Sequence, residues 1–212
     1  MIARHASSRL PADISTPVCA YSLNRKIRES YVGPFFRYRQ GGEEYDYPNI
    51  TPDGDAYIVK IYDQKLNNDI ELSDAYQPDM ELQPKLSYNG YYSASFSHME
   101  YLLVDAVIGG QITVLCASKG SNVLYPVVGL GEYSISVSDK ALSVCHSGKC
   151  KTTDTDGCFS VYSDNLGNYE NIHIGKAGSR LYKGLLSELI ICNTPLVTGH
   201  KILNNMRKYY DY

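Results

Sequence analysis

Hydrophobic positions recur along this chain in short runs at strand-like spacing. Ala56-Tyr57-Ile58-Val59-Lys60-Ile61-Tyr62 is rich in β-branched and aromatic residues, the composition that suits a pleated, half-buried strand. Further strands are predicted over residues 101–107, 111–117, 124–130, 133–137, 141–145, 159–163, 172–174 and 185–192. Turn signals divide them at short intervals: Gly109-Gly110, Gly129 with Gly131, Ser138-Asp139, Ser147-Gly148 and Asp156-Gly157. Many short strands divided in this way predict an all-β sandwich or barrel. No long helical pattern alternates with them, which disfavours a parallel α/β fold. One helix is predicted at the end, where Ile202, Leu203, Met206, Tyr209 and Tyr210 recur at helical spacing. Arg207 and Lys208 suit its C-terminus, and Thr198 is positioned to cap its start. Residues 20–27 read as one or two helical turns. The segment 39–55, with Gly41-Gly42, Pro48, Pro52 and Gly54, reads as a loop, and 63–69 reads as a polar turn. Residues 1–18 carry Pro11 and Pro17 with little apolar periodicity and read as an extended arm or a poorly ordered leader. The simplest partition is an arm or anchor over 1–19 and one sandwich domain over 20–212.

Composition sharpens this in one respect. The chain has 212 residues, 43% hydrophobic, with 20 Tyr, 4 Phe and no Trp. Tyrosine suits strands and wet apolar surfaces, so the skew points to β structure with contact faces. A net charge of −3 lacks the basic excess of nucleic-acid binders, so no nucleic-acid partner is expected. The most apolar stretches, around 101–104 and 185–191, are far shorter than the ~20 residues of a membrane-spanning helix, so no membrane partner is expected either. The N-terminus has no apolar signal core, which predicts synthesis in a cytoplasm without a signal peptide.

Candidate chemistry is sparse. The six cysteines read by default as reduced thiols, but Cys145, His146, Cys150 and Cys158 cluster in sequence. A zinc site, a hairpin disulfide and free thiols all stay open for them, although the tight Cys-x-x-Cys knuckle is missing. The five histidines form no pair at metal spacing, and no phosphate-binding glycine loop is present, so no cofactor is expected and, with free thiols as the default for the cysteine cluster, no metal either. Asp154-Thr155-Asp156-Gly157 is a fragment of a calcium-loop pattern and reads as a turn. Tyr88, Tyr91 and Tyr92, beside Asn89 and Gly90, offer aromatic faces on which a sugar would stack, or else a packing or subunit contact. Tyr209, Tyr210 and Tyr212 end the chain as exposed aromatics suited to a protein contact. Of the carboxylates, Glu188 alternates with Leu189 and Ile191 and is expected on a solvated strand face; Glu100 and Asp105 flank another strand. Structural turns are expected at Gly33-Pro34, at Asp63 and Asn67 through local backbone hydrogen bonds, and at Gly175 and Gly178.

Four segments, in order, resemble one family. Arg25-Lys26-Ile27-Arg28-Glu29-Ser30-Tyr31-Val32-Gly33-Pro34 is similar to the opening of concanavalin A-like domains. Ile61-Tyr62-Asp63-Gln64 through Asp69 resembles their Tyr-Asp-Gln motif, and Gln83-Pro84-Lys85-Leu86-Ser87-Tyr88-Asn89-Gly90 the Gln-Pro segment after it. Ile174-Gly175-Lys176-Ala177-Gly178-Ser179 with residues 182–193 resembles their closing strands. The resemblance implies a jelly-roll sandwich over 20–212 with a short C-terminal helix. Two kinds of protein carry the pattern: the catalytic domain of fungal-type α-L-arabinofuranosidases, and lectin-like domains of bacteriophage and bacterial surface proteins. Retaining glycosidases use two carboxyl groups roughly 5–5.5 Å apart. In the arabinofuranosidases the nucleophile follows a vicinal Cys-Cys pair, which this chain lacks. The glycine-rich stretch that should hold the acid/base Asp reads Gly175-Lys176-Ala177-Gly178. The resemblance therefore implies no catalytic residue. The expectation is a non-enzymatic virion protein of a bacteriophage, a fibre, tail or capsid-surface subunit, with other virion proteins, its own copies (as a trimer) and a host glycan as partners. A divergent glycoside hydrolase and a free-standing carbohydrate-binding module are the alternatives.

Overall fold

The structure is a computed structural model that describes residue 11 and residues 17–64, 70–71, 85–88, 90–97, 102–104, 108–119, 123–138, 141–147, 149–154, 159–169, 172–193 and 195–210. The N-terminal half contributes β1 (Pro17–Ser22), β2 (Phe36–Gln40), β3 (Glu43–Tyr47), β4 (Tyr57–Ile61), β5 (Ile70–Glu71), β6 (Lys85–Tyr88), β7 (Tyr92–Phe96) and β8 (Leu102–Val104). The middle contributes β9 (Ile108–Lys119), β10 (Tyr125–Leu130), β11 (Tyr133–Val137), β12 (Ala141–His146), β13 (Lys149–Asp154) and β14 (Phe159–Tyr169). After β15 (Ile172–Ile174) come the short β16 (Lys176–Ala177) and β17 (Arg180–Leu181), the long β18 (Gly184–Cys192) and the helix α1 (Leu196–Tyr210).

The strands pair antiparallel into a curled sheet of 16 strands, whose path runs β13-β12-β11-β10-β15-β8-β5-β4-β6-β7-β18-β9-β14. β1 adds to β18, and the β2–β3 hairpin adds to β4. The curl brings two sheet faces together around one core, a jelly-roll sandwich. Alternation decides which side chains enter it. β9 sends Ile112, Val114 and Cys116 inward, and β18 sends Leu189 and Ile191. The intervening residues, Leu115 and Ala117 of β9 and Ile190 and Cys192 of β18, face the opposite way.

That second face is covered by α1. Ile202, Leu203, Met206 and Tyr210 of the helix pack with Leu115, Ile190, Cys192 and Ala20 in a second core. Each such aliphatic side chain, fully buried, contributes roughly 1.5–3 kcal/mol. The helix begins earlier than its predicted cap: Thr198 lies inside the first turn, its N–H donating to Pro195 O at 2.9 Å.

Two expectations are corrected. Residues 20–27 are not helical: β1 occupies the first part and bends follow. β1 is buried on both sides, with Cys19 and Tyr21 in the sandwich core and Ala20 under the helix, so its apolar run shows no period that separates strand from helix. Residues 39–55 are not a loop throughout. β2 and β3 form a hairpin closed by Gly41-Gly42, whose φ values of 60° and 88° fit the two-residue turns that tight hairpins favour. β3 is polar because its outer residues face water. Of the expected arm, β1 takes in Pro17 onward; residues 1–10 and 12–16 lie outside the described residues.

Candidate functional site

The Tyr-Asp-Gln segment acts as a clamp. Asp63, expected to bond its own turn, also reaches across the chain: its Oδ1 accepts the Ala20 N–H at 2.9 Å, 43 residues away. Gln64 N–H donates to Ala20 O at 2.9 Å, Gln64 Oε1 accepts Ile27 N–H at 2.7 Å and Gln64 Nε2 donates to Arg25 O at 2.9 Å. Both side chains are buried and satisfy backbone groups on the outer edge of β1 and in the bends that follow it. Asn67 lies outside the described residues. At Gly33 a side chain would run into the Tyr31 ring, and the Tyr31 hydroxyl donates to Pro34 O, so this turn is packed shut. Gly175 and Gly178, at φ 86° and 58°, occupy left-handed turn positions as expected.

Glu188 is not solvated. It is 1% exposed, because the strand face it shares with Ile190 and Cys192 is the one α1 covers. Its Oε1 accepts Arg25 Nη2 at 2.6 Å, and its Oε2 accepts Arg25 Nε at 2.8 Å and the Ser22 and Tyr210 hydroxyls, each at 3.2 Å. Arg25 Nη1 donates to Asn205 Oδ1 at 2.6 Å, and its guanidinium lies 4.7 Å over the Tyr209 ring. Burial alone would lower the Arg25 pKa, but Glu188's charge and hydrogen bonds outweigh it and hold it raised. Burial, with the Glu188 charge, holds the Tyr210 hydroxyl protonated well above the ordinary phenol range. The carboxylate is spent on fixing the helix.

The predicted tyrosines divide between two places. Tyr91 turns to the helix, its ring 4.8 Å from that of Tyr210 and its hydroxyl donating to Tyr209 O at 3.1 Å. Tyr210, expected to be exposed, is 3% exposed, since it continues the buried stripe one turn after Met206. Tyr209 is half-buried and donates to Asn24 O at 2.9 Å. Tyr212 lies outside the described residues. Tyr88 and Tyr92 instead form an aromatic ledge with the β2–β3 hairpin. Tyr88 stands 66% exposed, with its ring 4.9 Å from Tyr92; Tyr92 lies 4.8 Å from Tyr47, which stacks on Phe36 at 4.9 Å. Asn24 pins the ledge, accepting Tyr92 N–H at 2.6 Å and donating to Tyr92 O at 2.8 Å. Burial raises the pKa of Tyr47 and of Tyr92, so both present neutral hydroxyls. Tyr47 was not singled out in the sequence, because its segment reads as loop.

A second concavity was not foreseen. Where the two ends of the sheet path face each other, β11–β13 and β14 enclose a cleft of about 200 Å³ lined by Tyr133, Val144, His146, Lys149, Cys150, Lys151 and Tyr162. His146 stacks on Tyr133 at 3.9 Å with the rings within 2° of parallel, and Glu132 Oε2 lies 3.6 Å from His146 Nε2. Cys145 and Cys150 face each other directly across β12 and β13 and are joined in a disulfide, so the default of reduced thiols is corrected for this pair. The other described cysteines, Cys19, Cys116 and Cys192, are buried thiols outside any disulfide, and Cys158 lies outside the described residues. Burial pushes the Cys192 thiol up to about 12. Among the described residues no three His, Cys, Asp or Glu side chains gather as a metal site.

No protein-family model matches the sequence, and no curated protein sequence matches it. Among solved structures, an arabinofuranosidase complexed with arabinofuranosyl-α-1,2-xylobiose is similar at a TM-score of 0.67 and 12% identity. The likeness covers 93% of this chain but 64% of that one, so this chain spans under two thirds of the arabinofuranosidase's length. The receptor-binding domain of botulinum neurotoxin D is similar at a TM-score of 0.43 and 10% identity, over 90% of this chain and 52% of that one. At 12% identity the first likeness establishes the fold alone: the chain has a jelly-roll β-sandwich, an architecture that hosts many unrelated functions.

Proposed function

We propose that this chain is a non-enzymatic surface subunit of a bacteriophage particle, in a fibre, tail or capsid, that contacts host glycans through the Tyr88–Tyr92–Tyr47 ledge. The observation that carries the glycan contact is the Tyr88 ring, 66% exposed and stepped against Tyr92. Sugar rings present C–H faces that stack on such aromatics, and the neighbouring hydroxyls supply hydrogen bonds. The commitment of Glu188 to Arg25 and α1 supports the non-enzymatic part, since a sealed, ion-paired carboxylate has no access to substrate. The virion part rests on the resemblance of the motifs.

A glycan array with the purified chain tests the contact. Binding to a defined glycan is expected, with a loss of about tenfold in Tyr88→Ala, whose exposure leaves stability within about 0.5 kcal/mol. Silence across the array overturns the glycan contact. Release of arabinose from arabinofuranosides by the purified chain overturns the non-enzymatic reading. Mass spectrometry of purified particles decides the virion assignment.

A further inference from the structure

We infer that the cleft between β11–β13 and β14 is a second carbohydrate site, specific for a sugar ring that carries an acidic group. The argument begins with alternation. Tyr133 pairs with His146, and His146 with Lys149, so these three form one cross-strand row; Ile135, Val144 and Lys151 form the next row on the same face. Ile135 and Val144 belong to the sandwich core, at 2% and 8% exposure. Continuing the apolar rows across the hairpin therefore lands on Lys149 and Lys151, where a sandwich would ordinarily place further apolar residues. Both lysines are exposed, and neither has a carboxylate partner among the described residues. Two ammonium groups on the inner side of a sheet, set against the Glu132 carboxylate beside His146, leave a net positive field in a concave site.

The walls narrow the ligand further. Tyr162 of β14 and Tyr133 of β11, the latter stacked on His146, line the cleft from opposite sides, which favours a ligand with an apolar ring face as well as an anionic group. About 200 Å³ is below the roughly 300–1,000 Å³ of pockets that take drug-sized molecules, and suits one sugar ring. The Cys145–Cys150 disulfide ties β12 to β13 next to His146 and Lys149, so the cationic rim is held in place before a ligand arrives. A carboxylated sugar and a sulfated sugar share this chemistry.

The inference takes its ligand class from the glycan-contact reading but names a different site. The test is titration calorimetry of the full chain with galacturonate, glucuronate, N-acetylneuraminate and galactose 6-sulfate, against galactose and inorganic sulfate. At least one acidic sugar should bind about tenfold or more tightly than galactose and than sulfate. The double variant Lys149→Gln/Lys151→Gln should lose about tenfold in that affinity, and Tyr162→Ala should weaken the sugar while leaving sulfate unchanged. Circular dichroism checks that both variants keep the wild-type fold, and Lys149→Arg/Lys151→Arg should restore binding. No binding by any acidic sugar, equal binding of galactose, or sulfate binding as tightly as the sugar overturns the site. So does a double variant that binds like wild type. Array binding that Tyr88→Ala abolishes, with no acidic sugar in the calorimeter, ends this inference and leaves the ledge standing.

Discussion

A carboxylate sealed between a sheet and a helix depends wholly on its partners. Glu188 receives four hydrogen bonds, two of them from a guanidinium whose third nitrogen is held by Asn205. Glu188→Gln leaves the Arg25 charge buried and unpaired and should lower unfolding free energy by about 3–5 kcal/mol, read by urea denaturation. Arg25→Met/Glu188→Leu should cost less than Glu188→Gln alone, because replacing a whole buried pair removes both desolvation penalties. An equal or larger loss in the double variant would show that the pair is worth more than its burial costs. Asp46 offers a contrast at the surface. Arg37 holds it in a bidentate pair at 2.9 and 3.1 Å and the Tyr62 hydroxyl donates at 2.8 Å, so its pKa is depressed, with the Arg37 hydrogen bonds as the main cause. A depressed carboxylate contributes its stability fully above the unfolded value of about 3.9 and loses it as pH falls through the lower folded value. Asp46→Asn should flatten the acid limb of stability against pH. Because the Arg37 side chain is 41% exposed, its cost at neutral pH should stay within about 1 kcal/mol. An unchanged acid limb would remove Asp46 from the proton linkage.

At the scale of elements, the β12–β13 hairpin carries the disulfide and the cationic rim together. Cys145 and Cys150 are five residues apart, so the closed loop is short and the chain-entropy estimate for the bridge is about 2 kcal/mol. Cys145→Ser/Cys150→Ser should lower unfolding free energy by about that amount, and native alkylation without reductant should leave both cysteines unlabelled. Labelling of either would mean that the bridge does not form. This hairpin also marks where the sequence stopped being readable. β11 and the start of β12 are visible because Ile135, Val137, Leu142 and Val144 alternate with serines. β13, Lys-Cys-Lys-Thr-Thr-Asp, carries polar residues on its inner face and so shows no hydrophobic period, although its pairing continues the same rows. The strand that bears the cleft's lysines was hidden by those lysines. Glu188 is obscured for the opposite reason: its alternation with Leu189 and Ile191 is plain, but nothing local to β18 shows that α1 covers the polar-looking face. The Tyr88–Tyr92 pair was legible as a cluster, whereas its partner Tyr47 comes from a hairpin 45 residues earlier than Tyr92, reached only by the fold.

Across the whole molecule, the sandwich satisfies its own core and leaves scattered apolar side chains outside. Val32, Val197 and Val123 are 92%, 70% and 55% exposed, and Ile50 and Tyr88 add 49% and 66%. Scattered singly such residues need no partner, but a particle subunit is expected to use part of this surface in symmetric self-association. A net charge of −3 puts little electrostatic repulsion in the way. The expected assembly is a trimer, so light scattering on the eluted chain should give about three times 23.7 kDa; a monomer at every concentration would refute it. On the proposed virion reading, residues 1–10 should serve assembly rather than the fold. Cys19 already pairs with Ile191 in the sheet, and Pro11 is buried, so a truncation that tests the arm must stop at residue 10. Removing residues 1–10 should leave the melting temperature and the trimer mass unchanged while abolishing incorporation into particles, read by mass spectrometry of particles from cells supplying only the truncated chain. Normal incorporation would free the arm of any anchoring role and shift the contact with the particle onto the sandwich surface.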